Sequence, residues 1–488
     1  MIVIVGNGMA GHRLSQELRR RRPDLPVTVL GAEPVPAYNR VLLSSVLAGA
    51  STAEAVELAD ARVDVRLGAQ VVGIDTRTRR ITLADESVRS YDDLVLATGS
   101  RAMIPPVDGL AEPDGSPAPG VVAFRTIEDC RRITELAGHG PMAVVGGGLL
   151  GVEAARGLAG LGVGVTVVHP VGHLMERQLD AGGGAVLAGV LAGLGVWLRL
   201  GVAAQSWQQP GSGPGAADLG VLTLTDGTTL DVAGVVVSAG VAPQTWLARR
   251  AGLKVNRGIV VDDRMATSVP RVHAIGECAE HRGFCYGLVG PCWEQAEVLA
   301  DLLTGADPHA RYAGSSLVTR LKARDVDLAA MGEIGAEDAE LVHLSDAARG
   351  RYGALALRSG RLAGAVLLGL PEATGPVIQL FDSGAPVPTD RFALLLGRAT
   401  ASTVTDSPAQ LPARAVICRC NGVTKGELVT AWSDGAREPA ALAAATRATT
   451  GCGSCANAVE GLCTWLNEAD PGPAAVSGKE VAGEEGAA

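Results

Sequence analysis

The sequence predicts an α/β protein with two Rossmann-like dinucleotide-binding domains, an α+β domain after them and a small, mainly helical domain near the C-terminus. Three observations carry this expectation. A strand, glycine turn, helix and strand open the chain; the same unit returns 140 residues later; and four cysteines follow as C-x-C and C-x-x-C, with 31 residues between the pairs.

At 488 residues, with 47% hydrophobic side chains, the chain can bury several cores and fill about three or four domains. A formal net charge of -10 disfavours the basic face that displaces counterions from a phosphate backbone, so no nucleic-acid partner is expected. The first strand begins at once with Met1-Ile2-Val3-Ile4-Val5, leaving no room for a secretory leader and pointing to the cytoplasm. Four of the nine cysteines cluster late in the chain, which suits metal ligation in a reducing compartment.

Residues 2–5 enter Gly6-Asn7-Gly8-Met9-Ala10-Gly11, a basic amphipathic helix runs to Arg22, and a second apolar run, Val27 to Leu30, closes on Glu33. Gly6 makes the turn, Gly8 admits a pyrophosphate, Gly11 lets helix and strand pack, and Glu33 can hold a ribose diol. In the second unit Ala143-Val144-Val145 leads into Gly146-Gly147-Gly148-Leu149-Leu150-Gly151, then a helix carrying Glu153 and a strand Val165 to Val168. Gly146, Gly148 and Gly151 take the corresponding roles. His169 stands where an acid would grip an NAD ribose. A neutral imidazole does not repel a 2'-phosphate, yet the nearest downstream arginine is Arg177, so NADH and NADPH both stay open.

Ala181 to Leu198 carries no charged side chain and six glycines. It reads as a glycine-rich helix packed on a sheet, and no membrane span is expected. Tyr91 to Ser100 reads as a turn, a buried strand and a small-residue turn at Thr98-Gly99 where backbone can approach a cofactor; Val237 to Pro243, with Gly240, repeats that pattern. Val272 to Glu277 ends a strand on a carboxylate suited to ribityl hydroxyls. Cys278, Cys285 and Cys292 lack metal-ligand spacing and read as small buried side chains, as does Cys130.

Beyond residue 312, Tyr352 to Leu357 and Leu362 to Leu367 read as a hairpin around Ser359-Gly360-Arg361, and residues 405–412, with two prolines, as a linker. Cys418 and Cys420, two apart in an extended segment, point to one side and can bind one iron. Cys452 and Cys455 precede a helix, Ala456 to Leu466, whose first N–H groups favour negative charge at sulfur. Four thiolates also satisfy tetrahedral zinc, so an iron-sulfur cluster and a structural zinc are the two readings. Cys463 is a spare thiol facing the helix core.

Residues 1 to about 310 resemble the two-nucleotide flavoprotein disulfide reductase superfamily. The resemblance implies an FAD-binding domain (1–115 and 241–311) with an NAD(P)H-binding domain (116–240) inserted into it. An interface domain (312–404), a linker (405–415), a BFD-like 2Fe-2S domain (416–467) and a disordered tail (468–488) follow. It implies that Gly6, Gly8, Gly11 and Glu33 hold the adenosine half of FAD, that Thr98 and Gly99 approach it by backbone, and that Glu277 takes the ribityl position, where most relatives carry aspartate. Arg40, Arg101 and Gly240 join the implied cofactor contacts. Relatives that are disulfide reductases use a cysteine pair beside the flavin, but no C-x-x-C or C-x-x-x-x-C occurs before residue 418.

Residues 416–466 resemble the 2Fe-2S domain of bacterioferritin-associated ferredoxin. Ala37 to Ser44, Leu174-Met175-Glu176-Arg177-Gln178-Leu179-Asp180, Ile275 to Cys278 and Thr319-Arg320-Leu321-Lys322 resemble the N-terminal half of NAD(P)H nitrite reductase large subunits. That family continues into a sirohaem domain, whereas here a Gly/Ala/Glu-rich stretch follows Asn467, as expected for the electron-transfer subunits of assimilatory nitrate reductases. The resemblance implies an FAD-dependent NAD(P)H oxidoreductase. Hydride would pass to FAD, then single electrons to the 2Fe-2S cluster, and on to a molybdenum-containing nitrate reductase subunit or a small electron-carrier protein. Lys322 is implied beside the isoalloxazine, against the plain reading of a solvated lysine, and Glu153 near the nicotinamide pocket. A ferredoxin or rubredoxin reductase, and a flavoprotein sensor with a metal-bound docking module, are the alternatives.

Overall fold

The computed structural model describes residues 1–211, 219–335, 337–398, 411–413, 415–451, 453 and 455–470. Cys452 and most of the expected linker and tail lie outside the described residues. The chain divides into two compact units, residues 1–404 and 405–488.

Ile2–Val5 and Met142–Val145 are apolar and buried at every position, the pattern of parallel strands covered on both faces. Each is the centre of a five-stranded parallel sheet. The first runs in the order Val272–Ala274, Asp93–Leu96, Ile2–Val5, Val27–Leu30, Asp64–Arg66. The second runs Val121–Ala123, Gly234–Val237, Met142–Val145, Val165–His169, Val196–Leu200. The two sheets agree in four strands and differ at one edge, where the first takes the strand latest in sequence, Val272–Ala274, and the second the earliest, Val121–Ala123. In register, Val5 pairs with Leu30 and Leu96, and Val145 with Val168 and Val237. Gly6 therefore lies level with Gly31 and Ala97, and Gly146 with His169 and Ser238. Between the sheets the backbone passes through two antiparallel strands, Ser100–Ala102 and Val241–Pro243.

A third, antiparallel sheet follows in the order Val318–Arg320, Leu328–Gly332, Arg361–Leu368, Arg351–Arg358, Glu340–Asp346. The expected hairpin is its centre. Its loop is the two residues Ser359 and Gly360, both with positive φ (50° and 71°), as a tight turn between twisted strands requires; Arg361 already belongs to the strand.

The charge-free stretch forms the helix Ala181–Gly193, capped by Asp180, whose carboxylate accepts from Gly183 N at 2.8 Å. Its glycines make room for a neighbour: a Cβ at Gly182 or Gly183 would lie 3.2 Å from the Tyr352 ring. Tyr352 donates its hydroxyl to the other oxygen of Asp180, so the cap and the third sheet share one carboxylate. Among the described residues no helix is long and apolar enough to cross a membrane.

In the second unit, Val416–Cys418 pairs with Val423–Thr424, and the helices Lys425–Ser433, Pro439–Thr446 and Ala456–Ala469 follow. Leu428, Trp432, Leu442, Val459 and Leu462 are buried among them. The last helix runs three residues past Leu466.

Tyr352→Phe removes a hydrogen bond to a charged acceptor and should cost about 1.5–3 kcal/mol. Urea unfolding followed by circular dichroism should show a lower midpoint with an unchanged slope.

Candidate functional site

A cleft of about 270 Å³ opens at the carboxyl ends of the first sheet, lined by Gly6, Gly8, Glu33, Arg40, Thr98 and Gly99 among others. Gly6 has φ 115°, and a Cβ there would meet Ala97 O at 2.2 Å; one at Gly11 would meet Gly6 O at 2.0 Å. At Gly8, by contrast, a Cβ would find nothing nearer than Arg40 Nε at 3.9 Å. Gly8 is also the N-cap of the helix Met9–Arg21 and brings no side-chain cap. Its first N–H groups are thus left to the cleft, whereas Thr126 and Thr424 close their helices with capping boxes. An uncapped helix start over a glycine floor suits a pyrophosphate.

The acids of this cleft are already partnered. Glu33 accepts from Tyr38 Oη at 2.7 Å and pairs with Arg40, whose guanidinium stacks 4.6 Å over the Tyr38 ring. Glu277 accepts from Ser100 Oγ at 2.6 Å and pairs with Arg125; Arg125 also reaches Ser100 Oγ at 2.7 Å. Ser100 and Arg125 line the cleft. Thr98 Oγ1 donates to Gln244 O at 2.8 Å, and Gln244 N donates to Gly99 O at 2.9 Å, tying the small-residue turn to the returning chain. Gly240 (φ 99°) accepts from Met103 N. Arg101 lies exposed on the strand Ser100–Ala102.

The second glycine turn repeats the construction. A Cβ at Gly151 would lie 1.9 Å from Gly146 O, none of its neighbours approaches Gly148, and Gly148 caps the helix Leu149–Gly160 without a side chain. His169 is buried; its Nδ1 accepts from Gly147 N at 3.1 Å, and Nε2 meets Glu176 Oε2 at 3.1 Å. From the same helix, buried Glu153 accepts the backbone N–H of Lys322 at 2.8 Å and stands 3.7 Å from Lys322 Nζ. The two residues expected to act near the rings therefore meet, and Lys322, with its side chain 15% exposed, is not a solvated surface lysine. One turn on, Arg156 pairs with Asp325 at 2.7 Å.

In the first unit Cys130, Cys278 and Cys292 are buried thiols. Burial raises all three above the ordinary thiol range, Cys130 to about 12. Cys285 is half-buried and shifted the same way.

In the second unit Cys418 ends a strand and Cys420 lies in the following turn, closed by Gly422 at φ 65°. The Sγ atoms are 3.6 Å apart. Two thiolates on one tetrahedral metal at ~2.3 Å stand about 3.8 Å apart, so the turn, rather than the extended segment the spacing suggested, brings the pair to bonding distance. The Cys418 thiol is lowered to about 3 by hydrogen bonding from Cys420 and Cys455. Cys455 Sγ accepts from Thr449 N at 3.3 Å, a loop amide and not one from the helix start. Asn421 Nδ2 donates to Arg447 O at 2.6 Å and to Thr450 Oγ1 at 3.2 Å, joining the two cysteine loops. Cys463 is buried, with Sγ 3.1 Å from Arg437 O. Among the described residues no three His, Cys, Asp or Glu groups converge on one ion, and Cys452 is not among them.

Residues 1–297 match the family model described as pyridine nucleotide-disulphide oxidoreductase. The chain belongs to that family. The oxidoreductase also matches the BFD-like 2Fe-2S binding domain over residues 416–464 and the rubredoxin NAD+ reductase C-terminal domain over 318–373. It is 36% identical over 469 residues to a nitrite reductase (NAD(P)H) of Bacillus subtilis strain 168, covering 94% of this chain and 57% of that protein. It is 34% identical over 481 residues to the assimilatory nitrate reductase electron transfer subunit of the same organism, covering 96% and 60%. The chain thus spans less than two thirds of these relatives. The solved complex of putidaredoxin reductase with putidaredoxin superimposes with a TM-score of 0.72 at 25% identity, over 82% of this chain and 96% of that one. This pyridine nucleotide-disulphide oxidoreductase thus carries a BFD-like 2Fe-2S binding domain, which favours the iron-sulfur reading of the cysteines over zinc.

Arg125, Glu176 and Asn421 were not singled out as functional from the sequence. Glu176 stands inside a quoted family motif and Asn421 directly after the C-x-C, so each had a local signal; Arg125 had none.

Native protein treated with iodoacetamide near neutral pH should leave Cys130, Cys278 and Cys292 unlabelled by peptide mass spectrometry. Alkylation of any of them before unfolding would show a reactive thiol in the first unit and count against their burial.

Proposed function

We propose that this oxidoreductase takes electrons from NAD(P)H into FAD at the first cleft and delivers them through the C-terminal cluster to a separate catalytic protein, a molybdenum-containing assimilatory nitrate reductase subunit. When bound, FAD accepts an electron pair and returns single electrons, and the cluster carries one electron at a time.

The chain's own residues would serve these groups as follows. The uncapped helix at Gly8 and the glycines Gly6 and Gly11 seat the pyrophosphate of FAD, and Gly146, Gly148 and Gly151 that of the nicotinamide nucleotide. Glu33, oriented by Tyr38 and Arg40, holds the adenosine ribose. Glu277 keeps Arg125 and Ser100 at the cleft wall. Glu153 fixes Lys322, a cation suited to stabilising negative charge on a reduced ring. Cys418, Cys420, Cys452 and Cys455 hold the cluster, and Asn421 binds their two loops together.

One observation carries the reading: a nucleotide-binding flavoprotein unit with no C-x-x-C or C-x-x-x-x-C pair, whose thiols burial shifts toward the protonated form, shares a chain with a 2Fe-2S domain. The electrons have a carrier other than a dithiol. The match to a rubredoxin reductase C-terminal domain favours as second reading a reductase of a small electron-carrier protein.

Purified protein should show flavin absorption and a 2Fe-2S resonance, both responding to NADH or NADPH. Cys420→Ser should abolish the resonance and electron delivery to a protein acceptor while ferricyanide reduction persists. With the molybdenum subunit added, NAD(P)H-dependent nitrite formation supports the first reading; reduction of rubredoxin or ferredoxin alone supports the second.

A further inference from the structure

The glycine turn at 146–151, the end of the strand Val165–His169 and the loop 174–179 form one interlocked piece. Gly147 spends both backbone groups on it: its N–H donates to His169 Nδ1, and its carbonyl accepts from Met175 N at 2.9 Å. A Cβ at Gly147 would fall 2.7 Å from His169 Cγ and 2.8 Å from Leu174 Cδ2. Met175 is buried in the left-handed region at φ 53°, a conformation a side-chain-bearing residue holds only where its surroundings over-determine it. Gln178 N and Leu179 N both close onto Met175 O, at 2.8 and 2.9 Å. The next residue along is Glu176.

This geometry defines the imidazole. Nδ1 accepts a backbone N–H and so carries no proton; the neutral ring bears its hydrogen on Nε2 and donates it to Glu176 Oε2. That bond occupies one carboxylate oxygen. The other has no hydrogen-bond partner among the described residues, and the side chain is 34% exposed. In this fold the end of the strand after the glycine helix faces the adenosine ribose, and the register sets His169 level with Gly146. The acid missing at position 169 is thus restored seven residues later by a loop.

We infer that Glu176, oriented by His169, is the ribose acceptor of the second nucleotide site and makes it selective for NADH over NADPH. The free oxygen takes a hydrogen bond from the ribose diol of NADH; the 2'-phosphate of NADPH would set two like charges together. Arg177, exposed and without an ion pair among the described residues, is an adjacent cation that would favour the opposite choice. The inference rests on the proposal that this turn seats the nicotinamide nucleotide.

Calorimetry on the full-length, FAD-loaded protein with ADP-ribose and with 2'-phospho-ADP-ribose tests it without turnover. The wild type should bind ADP-ribose at least about tenfold more tightly, the range of a hydrogen bond to a charged group. Glu176→Gln should narrow that ratio severalfold, and Glu176→Arg should invert it, with flavin content unchanged in both as the check on folding. Equal binding of the two compounds by the wild type, tighter binding of the phosphorylated one, or a ratio untouched by Glu176→Gln overturns the inference while leaving the site in place. Binding of neither compound overturns the site itself and this inference with it.

Discussion

Backbone packed directly on backbone at two glycine turns is the constraint on which the rest of this molecule depends. At Gly11 and Gly151 there is no space for even one added carbon, because the carbonyl oxygens of Gly6 and Gly146 lie 2.0 and 1.9 Å from where it would stand. The contact pulls each helix onto its strand and points its uncapped start at the carboxyl edge of the sheet. Parallel register then decides what surrounds that edge: Ala97 and Gly31 beside Gly6, Ser238 and His169 beside Gly146. A larger residue at Gly11 or Gly151 would open the joint and shift every group arranged around it.

On that frame the ionisable groups are set in pairs drawn from different elements. Glu33 is held by Arg40, Glu277 by Arg125, Glu153 by Lys322 and Glu176 by His169. A carboxylate withdrawn from water costs free energy unless a cation or donor replaces the lost hydration, so each acid needs such a partner to hold its orientation. The arrangement also links regions distant in the chain. Glu153 and Arg156, a turn apart on the second nucleotide helix, engage Lys322 and Asp325, and Asp180 joins a helix cap to Tyr352 of the third sheet.

The C-terminal unit solves a different problem with similar means. Two short loops carry the cysteines of the proposed cluster, and a loop holds its shape poorly unless its backbone groups are satisfied. Asn421 bridges the loops, the Thr449 amide reaches Cys455 Sγ, and Thr424 starts the next helix with a capping box. Thiolate at Cys418 is favoured by its sulfur neighbours, which suits a ligand position.

Much was legible along the chain because it is local. The glycine spacings, the apolar strands, the Ser359-Gly360 hairpin and the C-x-C and C-x-x-C pairs are each written within a few residues, where backbone sterics and side-chain period act. The family resemblance added the order of cofactors, and the placement of Gly6 and Glu33 at one cleft and of Cys418 beside Cys420 could be expected from those patterns alone. The partners could not. Arg125 reaches Glu277 across 152 residues and Lys322 reaches Glu153 across 169, distances over which no periodicity carries information. Cys418 and Cys420 meet through a turn rather than an extended run, and the missing ribose acid returns from a loop held by a strained methionine. Sequence determined which chemical groups this protein owns and which local shapes present them. Tertiary structure decided which charges neutralise one another and which face a ligand, because pairing and desolvation are set by distances in space that only the closed fold defines.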